Sequence, residues 1–245
     1  LEEANKYQRD YGPYILICTT FGFAVSPYGI KDTFSERNGY GLSDYKSSRL
    51  LREWSEQMHK LVHFIKLVHN ISDSFPKIKI IVRPHVAEDK EYYKETLKGL
   101  SNVTVLNDGM SAPWILGSEI VIHNGSTTGL EAYFSDKQVI NYEFRSSKDF
   151  DSLILDKIGI KCKTPQEVVK NISESFKGEN STKNSEFTQF DNDILYNLQN
   201  DDSSKLVSLL TEIIIEKSKE EDYKNVSLIK LFLSESLYAL INSLK

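Results

Sequence analysis

The sequence predicts an α/β protein built as a Rossmann-like, doubly wound parallel sheet, and three observations carry that reading. Short apolar runs rich in β-branched residues alternate with longer amphipathic stretches from Tyr14 to Phe176. The short runs are continuously apolar instead of alternating, as strands buried on both faces are. Strand followed by helix, repeated, is the pattern that right-handed crossovers wind into one parallel sheet.

The elements follow in order. Tyr14-Ile15-Leu16-Ile17-Cys18 is a buried strand, and a glycine- and aromatic-rich loop runs from residue 19 to about 44, long enough to suggest function. A helix over 47–74 carries Leu50, Leu51, Trp54, Met58, Leu61, Ile65 and Val68 on one face at helical spacing. Strands are expected at 79–82, 103–106, 119–122 and 139–142, with helices at 91–97, 112–116 and 127–134 between them. Thr164 is placed to cap a helix whose first position is Pro165. Residues 1–177 thus read as one Rossmann-like domain, and 178–202, opening Gly178-Glu179-Asn180-Ser181, as a polar connection. In 203–245 two helices are expected, 203–217 and 226–244. The second carries Leu228, Ile229, Phe232, Leu233, Leu237, Leu240 and Ile241, an apolar surface that must pack on this domain or on a missing one.

Two strand-to-helix junctions hold the chemistry. In His123-Asn124-Gly125-Ser126-Thr127-Thr128-Gly129-Leu130-Glu131-Ala132, glycine lets the backbone turn and a ligand approach, and small hydroxyl residues can cap the next helix. Thr128 and Glu131 have capping-box spacing. Free amides and the positive helix end favour an anion such as phosphate. The second junction, Arg83-Pro84-His85, ends the strand at 79–82. If the two strands are parallel neighbours, Arg83, His85, His123 and the Ser/Thr turn gather at the sheet edge where open α/β sheets bind ligands.

Composition narrows the classes. The chain has 245 residues and is 40% apolar and 27% charged. That is enough to bury a sizeable core, in the proportions of an ordinary globular protein. A net charge of −5 gives no global field for a nucleic acid polymer. Cys18 and Cys162 are isolated, which fits a reducing, cytoplasmic setting. His59 and His63 stand four residues apart but lack the H-E-x-x-H glutamate, so they read as structural and no metal is expected. No apolar run approaches the ~20 residues of a membrane-spanning helix. The acidic opening Leu1-Glu2-Glu3 is unlike a signal peptide, and the absence of an initial methionine suggests a piece of a longer protein. Neither G-x-x-x-x-G-K nor G-x-G-x-x-G occurs, so the P-loop and dinucleotide readings fail.

The block 103–142, with Asn107-Asp108, Pro113-Trp114, Gly125-Ser126-Thr127-Thr128-Gly129, Glu131-Ala132 and Val139-Ile140-Asn141, resembles the donor-binding half of GT-B glycosyltransferases. It is most similar to bacterial surface-carbohydrate biosynthesis proteins, including retaining Kdo transferases that use CMP-Kdo. Arg83-Pro84-His85 resembles the R-P-H or H-P element that bacterial sialyl-, Kdo- and glycerophosphate-transferases set against the donor phosphate, though Val86 here replaces the proline of H-P.

The resemblance implies a nucleotide-sugar donor, CMP-Kdo favoured, and a glycan acceptor, at work in the cytoplasm or at the inner face of a membrane, with no cofactor. It implies that Ser126, Thr127 and Thr128 meet the nucleotide phosphate together with His123, Asn124 and Gly125. His85 would balance charge on the departing nucleotide as the candidate catalytic group, and Arg83 would grip phosphate or a donor carboxylate. Glu131 would accept from ribose hydroxyls, and the loop from Asn107 to Trp114 would border the base. Only one of the two GT-B domains fits the chain, so an amino-terminal acceptor domain or partner subunit is expected. Asp32, Glu36 and Asp44 are the acids available in the long first loop. The runner-up enzyme is a CDP-glycerol-type glycerophosphotransferase. A non-catalytic nucleotide-binding module is the alternative outside the enzymes.

Overall fold

The computed structural model describes residues 2–38, 41, 43–145 and 157–178, all within one compact unit. The expected connection beyond Gly178 and the helices at 203–217 and 226–244 lie outside the described residues.

Six parallel strands form one sheet: β1 (Tyr14–Cys18), β2 (Lys79–Arg83), β3 (Val103–Val105), β4 (Ile120–His123), β5 (Gln138–Tyr142) and β6 (Ile160–Cys162). Their spatial order is β3-β2-β1-β4-β5-β6, the order of a doubly wound Rossmann-type sheet. All pairings are parallel. The helices are α1 (Glu2–Tyr11), α2 (Ile30–Thr33), α3 (Asp44–Ser74), α4 (Lys90–Thr96), α5 (Ser111–Gly117), α6 (Thr127–Phe134) and α7 (Pro165–Phe176).

Both faces of the sheet are covered, which explains the unbroken apolar runs. Ile15, Ile17, Ile80, Val82, Ile120, Ile122 and Ile140 share a core with Leu61, Phe64, Leu67, Val68 and Ile71 of α3 and Val168 and Ile172 of α7. The alternate residues Leu16, Ile81 and Val121 are equally buried on the other face. There Tyr14 donates from its hydroxyl to the Trp114 carbonyl of α5 at 2.6 Å.

Three local expectations need correction. The apolar stripe expected from Leu50 along α3 is buried only in the helix's second half, and Leu51 is 51% exposed. At its length α3 runs about 46 Å, so only part of it has sheet beneath it. A strand as short as β1 spans about 17 Å. Both α1 and β6 escape the sequence patterns, β6 because Ile160-Lys161-Cys162 is too short to show one. The loop after β1 is not structureless, since it contains α2 and a 3-10 turn at Glu36–Asn38. His63 stacks on Phe144, with His59 at its edge, so both rings pack on an aromatic side chain. Among the described residues no helix is long and apolar enough to cross a membrane, and no His/Cys/Asp/Glu group could hold a metal ion.

Candidate functional site

The strand order reverses between β1 and β4, and the crevice outside their carboxyl ends is where such sheets take ligands. The expected adjacency of the two junction strands is not what forms, because β1 lies between β2 and β4. The Arg83 and His123 positions therefore stand two strand spacings apart, roughly 10 Å. Register lines the rim up: Arg83 pairs with Cys18 and His123 with Asn141, while Ile17–Ile122 brings Cys18 level with His123. A third loop, Thr19-Thr20-Phe21 after β1, where the long first loop suspected of function begins, therefore borders the same crevice. Its Thr20 hydroxyl donates to Asn124 Oδ1 at 3.2 Å, joining the loops after β1 and β4.

His123 does not face a ligand. Its ring is fully buried, its Nδ1 accepts from the amides of Gly125 (3.1 Å) and Ser126 (3.2 Å), and its Nε2 lies 3.0 Å from the Ile158 carbonyl. Two donors on Nδ1 require the hydrogen on Nε2, so the neutral ring satisfies every partner. Burial pushes its pKa down to about 4, opposed by the bond to Ile158. The histidine thus shapes the turn from beneath and uses two of the amides expected to be free. Gly125 makes that turn with φ 85°, a conformation glycine adopts at no steric cost.

Ser126, not Thr128, caps α6: its Oγ accepts the Thr128 amide at 3.2 Å. The Thr128–Glu131 capping box does not form, because the Glu131 carboxylate instead accepts from the Ser111 hydroxyl at 2.7 Å. Burial raises the Glu131 pKa, opposed by Ser111 and by the charge of Arg83. Burial pushes the Cys18 thiol up to about 12, opposed by the charge of Arg83 and by Thr128. Thr127 is half-buried at the first position of α6. Ser126→Ala should cost about 1 kcal/mol of stability through the lost cap. A urea midpoint equal to wild type would show that the cap contributes nothing.

Arg83 is committed to the neighbouring loop. Its Nη1 donates to the Asp108 carbonyl at 2.7 Å and its Nη2 to the Gly109 carbonyl at 3.1 Å, with the guanidinium 5.4 Å from the Trp114 ring centre. The Trp114 indole also donates to the Asp108 carbonyl, at 3.0 Å. Trp114 is 2% exposed and stacked on Tyr7 of α1 at 3.7 Å, so it is a core residue unavailable to a base. Arg83 and Glu131 together hold the 108–111 segment, and Asn107 sits half-buried at its start.

His85 is exposed, and its Nδ1 accepts the Ala87 amide at 3.2 Å, which directs Nε2 outward. The turn it opens is closed by main chain, Glu88 N to His85 O at 2.8 Å, without a proline after the histidine. The acids of the first loop have other partners or positions. Asp32 is ion-paired with Arg37 at 2.6 Å, Glu36 lies in the 3-10 turn, and Asp44 opens α3.

No family model and no curated protein matches the chain. Among solved structures it is similar to a variant of the wall teichoic acid polymerase TagF, with a TM-score of 0.48 and 13% identity, over 90% of this chain and 49% of that one. The chain spans about half the length of that polymerase.

Proposed function

We propose that this chain is the donor-binding domain of a GT-B-type transferase and takes a cytidine-nucleotide-linked donor, with the phosphate lying between His85 and the start of α6. The carrying observation is the gathering of three loops, after β1, β2 and β4, at the point where the strand order reverses. His85 supplies an outward Nε2, Thr127 a hydroxyl, and the α6 terminus a positive field. Transfer to a glycan acceptor then needs a second domain, in the same polypeptide or a partner.

The engagement of Arg83 bears on the donor. An acidic sugar such as Kdo needs a cation for its carboxylate, and two of the guanidinium nitrogens already serve the carbonyls of Asp108 and Gly109. A CDP-glycerol-type donor carries no such carboxylate and fits the remaining groups better. Calorimetry with CMP, CMP-Kdo, CDP-glycerol, UMP and UDP tests both parts of the reading. Cytidine nucleotides should bind, CDP-glycerol more tightly than CMP-Kdo. His85→Ala should weaken binding by about 1–3 kcal/mol, the scale of a lost charged contact, without changing the unfolding midpoint. No nucleotide binding at millimolar concentration would leave the domain as a module for some other partner.

A further inference from the structure

Glu88 belongs to neither junction motif, yet it is 3% exposed and its carboxylate receives four donors, three from the loops after β1 and β2 and one from Tyr93 of α4. Oε1 accepts the amides of Phe21 at 2.9 Å and His85 at 3.2 Å. Oε2 accepts the Thr19 hydroxyl at 2.7 Å and a short hydrogen bond from the Tyr93 hydroxyl. We propose that Glu88 is a positioning residue of the nucleotide site, fixing the backbone of His85 against the Thr19–Phe21 loop so that the histidine meets the donor phosphate. The proposal rests on the reading that His85 contacts that phosphate.

The ordinary local duties of a residue at this place are already filled. The turn is closed by the Glu88 amide and the His85 carbonyl, and α4 is capped by Asp89, whose Oδ1 accepts the Glu91 amide at 3.0 Å. The carboxylate is left for another role, and a buried charge is costly unless its partners require it. Here the two amides can only donate and the two hydroxyls donate as placed, so an ionised carboxylate, which only accepts, satisfies all four together. Desolvation raises its pKa while all four donors oppose the shift. The chain of contacts continues through Thr20 to Asn124, so one carboxylate ties the loop after β2 to that after β1 and, through it, to the loop after β4.

Glu88→Asp keeps the charge but is one methylene too short to serve both loops, and Glu88→Gln keeps the length. Binding of CMP is measured for the 245-residue chain with each variant, alone and combined with His85→Ala. The expected result is a tenfold or greater loss for Glu88→Asp, partial rescue by Glu88→Gln, and less than a twofold further loss for Glu88→Asp in the His85→Ala background. Equal losses with and without His85 would make Glu88 merely structural and overturn the proposal. The His85 ring nitrogen NMR shifts supply a second readout, since Glu88→Asp should disturb the bond from the Ala87 amide. If His85→Ala leaves CMP affinity unchanged, the nucleotide site itself fails. Ring shifts insensitive to Glu88→Asp would then show that Glu88 does not position His85.

Discussion

Replacing Gly129 by alanine should destabilise the domain by about 3 kcal/mol, the upper end for forcing extra volume into a packed interior. A Cβ there would stand 2.6 Å from His123 Nε2 and 2.7 Å from Cδ2 and Cε1. The ring cannot step aside cheaply, because three hydrogen bonds and complete burial fix it. Displacing it would also release the Gly125 and Ser126 amides and shift the start of α6. Urea unfolding is the direct measurement. A change below about 0.5 kcal/mol, the range of ordinary surface substitutions, would mean that the turn tolerates another position for the ring.

Acid should remove about 3 kcal/mol of stability through His123 alone. Its pKa falls from 6.5 in the unfolded chain to about 4 in the native state. Between those values the unfolded chain binds a proton that the native state refuses, so the stabilisation is complete above pH 6.5 and is lost as pH falls toward 4. The refusal has a structural cause: a second ring proton would sit on Nδ1, pointing at two amide hydrogens. Burial raises the carboxyls of Glu53, Glu88 and Glu131, and their protonation favours the native state as pH falls, opposing the His123 effect. The measured quantity is therefore the difference between wild type and His123→Asn, whose Oδ1 can replace Nδ1 as acceptor but does not titrate. Parallel stability profiles for the two proteins between pH 7 and 4.5 would refute the assignment.

Much of the sheet is legible locally because burial on both faces leaves a plain mark. Tyr14–Cys18 and Pro165–Phe176 form as read, and Thr164 makes a full capping box with Glu167, two reciprocal bonds encoded within one short segment. The site is less legible, for reasons of pairing. Parallel strands exchange only backbone hydrogen bonds, so nothing in Ile120-Val121-Ile122 says whether its neighbour is β1 or β2. Histidine and glutamate carry the same ambiguity. His85 and His123 both follow or end a strand, yet one is exposed and the other sealed under a turn, and Glu88 looks like any acid in a polar loop.

Short-range chemistry was therefore enough to establish a parallel α/β domain and to mark which strand ends carry polar turns, because period, capping and turn formation act over a few residues. Long-range assembly was needed for the rest: β1 separates the two junctions, His123 supports the turn from below, Arg83 is spent on the 108–109 carbonyls, and Glu88 joins two loops. Each of those depends on atoms brought together from far along the chain, where burial and competition among hydrogen-bond partners choose between roles that the same residue types fill equally well.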